Sequence, residues 1–298
     1  MRELVLVALT MLAGGTATAV VAPVAALNTL SRLEDVVATT GLAYADGPRH
    51  GIDVYAPRGA SEGDGTGTGR PVVVFFYGGG WEEGERALYR FVGAALASRG
   101  IVTFIPDYRV YPEVRFPDFL KDGARAVRWA RDHAARFGGD PGRLVLAGHS
   151  AGAHIAAMLA FDPQWLAGEG LDARRDVAGL AGIAGPYDFL PLHSATLKAI
   201  FGPEPERALS QPINFVTGRE APAFLATGAN DDTVEPANTQ RLAARIRERG
   251  GRVTTRVYPR VDHRTVLGAF AWPLRLLAPV LDDVSVFVHR VTDGEGAT

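Results

Sequence analysis

The chain has no cysteine among its 298 residues. That excludes disulfides, thiolate metal sites, a cysteine nucleophile and a lipid-modified cysteine near the amino terminus. Stability must come from packing alone. Charge of one sign is also missing: Lys+Arg number 31 against 33 Asp+Glu, a formal net charge of -2, so no bulk electrostatic partner is implied. Arg241, Arg245, Arg247 and Arg249 do cluster, but Glu248 lies among them, and the group reads as a solvated helix face rather than a nucleic-acid surface. No nucleic-acid partner is expected. Internal repeats are not apparent, and 47% hydrophobic with 21% charged residues suits one globular domain with a large core.

A third absence lies at the start, where no charged residue occurs between Glu3 and Arg32. Leu4 to Leu12 form an apolar block, followed by Gly14-Gly15 and the small triplet Ala17-Thr18-Ala19. This resembles a secretory signal cleaved after Ala19. Apolar character resumes from Val20 to Leu27, so the same segment is long enough to span a bilayer uncleaved. Residues 1–30 are therefore read as a signal peptide or membrane anchor and 31–298 as the folded domain. The expected location is periplasmic or secreted, or membrane-held through residues 4–27. Nothing in the sequence speaks to oligomeric state.

Within the domain, Ile52-Asp53-Val54-Tyr55 alternates as an edge strand would, and Pro71 to Phe76 reads as a strand buried on both faces. The glycine-rich stretch Gly59 to Gly69 between them is a solvated connection. Further buried strands are expected at 101–105, 143–147, 177–183, 223–227 and 252–257, with helical stretches between most of them. The alternation predicts an α/β fold with a mostly parallel sheet. The clearest helix begins near Pro117, carries Phe119, Ala126, Val127 and Ala130 on its inward stripe, and is stopped by Gly138-Gly139. From Leu190 to Pro222 periodicity is lost among Pro191, Pro203, Pro205 and Pro212, and this segment is read as a small cap over the site.

Gly148-His149-Ser150-Ala151-Gly152 follows the apolar run Arg143 to Ala147 and precedes an alanine-rich, helix-favouring stretch. That is the strand, sharp turn and helix context of a nucleophile elbow, which predicts a serine hydrolase with Ser150 as nucleophile. A serine hydroxyl is a weak nucleophile at neutral pH, so a histidine must take its proton and a carboxylate must orient the histidine. Tyr77-Gly78-Gly79-Gly80-Trp81, placed after Phe76 and about 70 residues before the elbow, supplies the anion site. Its expected donors are the N–H groups of Gly79 and Gly80, together with that of Ala151.

The glycine triplet, Asp107-Tyr108-Arg109-Val110-Tyr111-Pro112-Glu113, Phe116-Pro117, Asp140-Pro141 and the elbow together resemble the α/β-hydrolase esterases related to hormone-sensitive lipase. The likeness runs from about Ile52 to His263. It implies the α/β-hydrolase fold and cofactor-free hydrolysis of carboxylic esters, with a small-molecule ester as partner. That family typically has His where this chain has Tyr77, a departure shared by methylesterase-like and formamidase-like branches. The resemblance also makes Asp107 and Arg109 a structural ion pair or loop network. In Gly228-Ala229-Asn230-Asp231-Asp232-Thr233-Val234 the family's Gly-x-x-Asp-x-x-Val pattern falls on Asp231, with Asp232 a close rival and Asp188 a distant third.

For the base, His263 lies just past the last expected strand and 32 residues beyond Asp231. His289, His133 and His50 sit on other elements, and lone histidines are usually satisfied structural groups. His149 and His154 adjoin the serine, yet one falls beside it and the other a helical turn below, so neither is expected to be the base. No pair of histidines has metal-ligand spacing with a carboxylate, so no metal is expected. Expected pocket walls are Trp81, Phe161, Trp165, Tyr187 and Phe189, with short or moderately bulky acyl groups accommodated. The alternatives are an arylformamidase, a feruloyl or acetylxylan esterase, a prenylcysteine-type methylesterase, or an inactive hydrolase-fold binding protein.

Overall fold

A computed structural model describes residues 17–60 and 69–294. The apolar block Leu4 to Leu12 and most of the glycine-rich stretch after Gly59 lie outside the described residues. Eight strands form one sheet: β1 (Val36–Ala43), β2 (Gly51–Pro57), β3 (Arg70–Phe76), β4 (Val102–Pro106), β5 (Gly139–His149), β6 (Gly179–Ile183), β7 (Ala223–Gly228) and β8 (Val253–Tyr258). Their spatial order is β1-β2-β4-β3-β5-β6-β7-β8. The β1–β2 and β2–β4 pairs are antiparallel and every later pair is parallel. β3 and β4 are buried almost throughout, as strands covered by helices on both faces must be.

The register of the parallel strands positions the site. Phe76 stands beside Gly148, Gly148 beside Gly182, Gly182 beside Leu225, and Leu225 beside Thr255. β3 and β5 therefore end nearly level, β7 and β8 run on to Gly228 and Tyr258, and the loops that follow all four strands open at the same end of the sheet.

One expectation is corrected. Ile52–Tyr55 is not an edge, because β1 lies outside it. Val36–Ala43 buries only Val36 and so lacks the apolar alternation that announces a strand. Asp53 disguised β2 as half-exposed; it is buried, and its carboxylate accepts from the Arg86 guanidinium and from the Gly41 amide, both at 2.9 Å.

The helix expected at Pro117 spans Asp118–His133, with Phe119, Ala126, Val127 and Ala130 buried, and Gly138 ends the following turn at φ 78°. The cap segment holds a helix at Ala195–Phe201 and 3-10 turns at Glu204–Ser210 and Pro212–Phe215. Ala17–Leu30 is helical. Among the described residues no helix is long and apolar enough to cross a membrane.

Candidate active site

Ser150 sits between β5 and the helix Ala151–Phe161 with φ 55° and ψ -126°, a region that costs an ordinary residue on the order of 1–3 kcal/mol. The surroundings hold it there: its amide donates to Ile183 O at 2.9 Å, and its carbonyl accepts from Ala153 N at 2.9 Å and His154 N at 3.1 Å. The flanking glycines serve close approach rather than unusual dihedrals. A Cβ on Gly152 would fall 2.1 Å from Phe76 O and 2.4 Å from Tyr77 O, and one on Gly148 would fall 2.4 Å from Gly152 backbone atoms. The elbow is thus wedged against the end of β3, which brings the serine up to the glycine loop.

His263 opens the helix His263–Gly268, whose amino end is fixed by a capping box: Asp262 accepts from Thr265 N while Asp262 N donates to Thr265 Oγ1, both at 2.8 Å. From this anchored position its Nε2 lies 2.9 Å from Ser150 Oγ and its Nδ1 2.8 Å from Asp231 Oδ2. The Asp231 side chain is fully buried, and its other oxygen accepts from Thr233 N at 3.0 Å and Val234 N at 2.8 Å. The acid and base loops are also tied to each other, Ala229 N donating to Tyr258 O at 2.9 Å and Asn230 N to Val261 O at 3.2 Å. Asp232 is exposed and, among the described residues, hydrogen-bonds only to the Thr233 hydroxyl, at 3.4 Å. Asp188 pairs with Arg241 at 2.6 Å, away from the imidazole.

The glycine loop turns back on itself. Glu82 N and Glu83 N both donate to Gly79 O at 3.0 Å, and Gly79 adopts φ 140° with Glu83 O only 2.1 Å from where a Cβ would stand. The N–H groups of Gly79, Gly80 and Ala151 have no hydrogen-bond acceptor among the described residues. Tyr77 is buried between Tyr89 and Tyr108, at ring separations of 5.2 and 4.7 Å, and its hydroxyl donates to Asp107 Oδ1 at 2.9 Å. Burial raises the Tyr77 phenol pKa far above its usual value; it stays neutral.

Of the two expected roles for Asp107 and Arg109, a structural ion pair or a loop network, the second holds: they do not pair with each other. Asp107 binds the Arg86 guanidinium and backbone N–H. Arg109 forms a fork with Asp122 at 2.8 and 2.9 Å. Both belong to the network behind the loop, with the partners exchanged because Arg86 lies on the turn that follows the loop itself.

His149 has a part that sequence reasoning missed. Its Nε2–H donates to the His263 carbonyl at 2.8 Å and its ring lies 4.7 Å from the His263 ring. Complete burial, reinforced by His263, pushes its pKa down to about 3. His154 is likewise buried, donates to Ser210 O at 2.8 Å, and is depressed to about 4 by burial. Both rings are neutral scaffolding, one behind the imidazole and one beneath the cap. His289 and His133 bond to backbone carbonyls on distant helices.

Of the expected pocket walls, Trp81 and Phe189 do come together, with centroids 5.8 Å apart. Phe201, Phe119 and His154 complete that cluster, at 4.8, 6.4 and 5.1 Å from Trp81. Trp165 is peripheral, touching Phe116 at 6.5 Å. Two expected walls are corrected. Phe161 is buried at the far end of the Ala151–Phe161 helix, roughly 15 Å below the serine at about 1.5 Å per residue. Tyr187 is fully buried and its ring is wedged against Gly182 and Gly185, making it core. Phe201 and Phe119 escaped notice because their spacing reads as ordinary helix packing. A groove of about 560 Å³ near Arg99, Asp282 and His289 lies away from the serine and contributes nothing to this centre. No cluster of His, Cys, Asp or Glu suited to a metal occurs among the described residues.

The strand order, the elbow after β5 and the loops after β7 and β8 define the α/β-hydrolase fold. Residues 52–246 match the BD-FAE family model, and the chain belongs to that family. Among curated relatives, it is 30% identical over 280 residues to an isoprenylcysteine alpha-carbonyl methylesterase of Arabidopsis thaliana, covering 86% of this chain and 63% of that protein. It is 35% identical over 218 residues to the esterase LipC of Mycobacterium tuberculosis, covering 66% of this chain and 52% of that one. The chain thus spans less than two thirds of either relative's length. An inhibited esterase B from Lactobacillus rhamnosis superposes with a TM-score of 0.74 at 22% identity, covering 92% of this chain and 94% of that chain. At that identity the likeness speaks for the fold.

Proposed function

We propose that this chain is a serine carboxylic-ester hydrolase acting through an acyl-enzyme. Ser150 Oγ attacks the ester carbonyl as its proton passes to His263 Nε2. Asp231 holds Nδ1–H and steadies the imidazolium, and the oxyanion receives the N–H groups of Gly79, Gly80 and Ala151. Collapse expels the alcohol, which takes the proton from His263. Water, deprotonated by the same imidazole, then releases the acid and restores Ser150. What carries this reading is the continuous relay of 2.9 Å from serine to imidazole and 2.8 Å from imidazole to a buried carboxylate.

The substrates are esters with short or moderately bulky acyl groups. Support comes from the cap, whose Phe189 and Phe201 close on Trp81 and leave little room on that side. The names of the relatives favour methyl and simple carboxylic esters over formamides. The protein is exported, or held to a membrane by its uncharged amino-terminal segment.

A fluorophosphonate probe tests the reading. Labelling of wild type that disappears in Ser150→Ala supports it, and a folded wild type that is never labelled supports the inactive binding protein. A p-nitrophenyl ester series beside a formanilide then tests the substrate class. Preference for the amide over every ester would overturn the esterase assignment.

A further inference from the structure

Three exposed apolar side chains stand close to the end of the amino-terminal helix. Leu33 is 78% exposed, Trp272 50% and Leu276 92%. The segments that carry them are tied side by side by the Arg275–Glu34 ion pair at 2.6 Å. The second segment is pinned: Pro273 and Leu274 are buried, and Arg275 also donates to Phe270 O at 3.1 Å. Trp272 and Leu276 are therefore held out into solvent by a fixed turn, at a standing cost in exposed apolar surface. Arg32, beside Leu33, is exposed and has no carboxylate within ion-pair range among the described residues.

The chain leading into this patch carries no charge from Leu4 to Ser31. Its end is clamped to the fold by Asn28, whose amide donates to Ala87 O at 2.9 Å and Leu88 O at 3.2 Å and accepts from Phe91 N at 3.0 Å. Leu27 beside it is buried. The clamped turn leads directly to Tyr89, whose hydroxyl donates to Gly78 O at 3.3 Å. The uncharged segment thus enters the fold on the flank of the glycine loop.

We propose that Leu33, Trp272 and Leu276, with Arg32, form a docking surface for an anionic phospholipid bilayer, continuous with the uncharged amino-terminal segment. An apolar helix entering beside an exposed tryptophan and leucines, followed at once by an arginine with no carboxylate partner among the described residues, has the composition of a membrane interface: apolar groups enter the acyl boundary while the cation meets phosphate. The docking does not rest on the esterase reading.

The absence of native cysteine allows a test with a single introduced thiol. Leu276→Cys and, as a control on the opposite sheet edge, Val257→Cys (Val257 is 45% exposed) are made in the full chain and labelled with an environment-sensitive fluorophore. Phosphatidylcholine vesicles with and without phosphatidylglycerol are then added. The expected result is a blue shift and about tenfold protection from iodide quenching at position 276, stronger with phosphatidylglycerol, and no change at 257. Arg32→Gln should remove the preference for anionic lipid. The proposal is overturned by a chain that does not float with vesicles, by equal quenching at 276 with and without lipid, or by equal protection at both positions. Protection at 276 without vesicles, accompanied by a dimer in light scattering, would assign the patch to a second copy instead. Fluorophosphonate labelling, run in parallel, reports the esterase reading independently of all these outcomes.

Discussion

Replacing Asp231 by asparagine should remove activity while leaving the fold intact, and the hydrogen bonds give the reason. Every contact of this carboxylate is as an acceptor: Oδ1 receives Thr233 N and Val234 N, and Oδ2 receives His263 Nδ1–H. An amide has only one oxygen. Two fixed backbone donors outweigh one rotatable ring, so the oxygen stays with Thr233 and Val234 and the NH₂ turns to His263. There it donates to Nδ1, which forces the ring proton onto Nε2, and Nε2 then faces Ser150 as a donor that cannot take a proton. A wrong tautomer of this kind costs about 10⁴ in kcat, roughly 5.4 kcal/mol at 1.36 kcal/mol per decade. Asp232→Asn, on an exposed side chain, should change kcat by less than about twofold, as surface substitutions generally do little. Steady-state hydrolysis of p-nitrophenyl acetate, with circular dichroism as a check on folding, measures both. Greater damage from Asp232→Asn, or more than about a tenth of wild-type kcat in Asp231→Asn, would refute the argument.

Gly152→Ala sets a Cβ 2.1 Å from Phe76 O. Since a backbone atom cannot swing aside, the elbow and glycine loop must part, lowering kcat by at least about 10²-fold through the lost oxyanion geometry and stability by about 1–3 kcal/mol; stopped-flow acylation and calorimetry read the two. Stability should also fall with acidity. His149 and His154 are depressed to about 3 and 4 in the fold, so their contribution is complete above the unfolded value near 6.5 and is lost as pH falls toward those folded values. The loss is roughly 1.4 kcal/mol per pH unit for each. Denaturant titrations between pH 7 and 4 should show this steepening, which His154→Phe would reduce. Asn28→Ala removes three hydrogen bonds to the Arg90–Ala97 helix and the turn before it and should cost about 1–3 kcal/mol, seen as early protease cleavage ahead of Ser31.

The legible parts of this chain were those written in local chemistry. The elbow, the glycine triplet and the buried strands each announce themselves within about ten residues, because tight turns and doubly covered strands restrict residue type. The acid was harder. Asp231 and Asp232 are adjacent and chemically identical, and only the direction of the loop after β7 separates them. β1 was missed because an edge strand with one buried residue carries no periodic signal. The Asp107–Arg86 pair was missed because its members, 21 positions apart, are joined only when β3 and β4 pair and the loop folds back. Phe161 was misplaced because adjacency to the elbow in sequence becomes distance along a helix.

These failures share a cause that also explains how the site tolerates change. The reactive geometry is set by backbone: a serine at positive φ, a glycine loop closed on Gly79 O, and two loops hydrogen-bonded to each other past β7 and β8. Those constraints depend on strand register, which no short motif encodes, yet they act through glycines at which an added Cβ would stand 2.1–2.4 Å from backbone atoms, so they leave no slack. The aromatic cluster is different. Trp81, Phe189 and Phe201 meet at ordinary ring separations of 4.8 and 5.8 Å, contacts that a smaller side chain loosens without moving the main chain. Phe201→Ala should therefore shift preference toward longer acyl esters while fluorophosphonate labelling stays within a few-fold of wild type. If instead it removes labelling as Ser150→Ala does, the cap ring supports the relay itself, and the separation drawn here between backbone geometry and acyl selection is wrong.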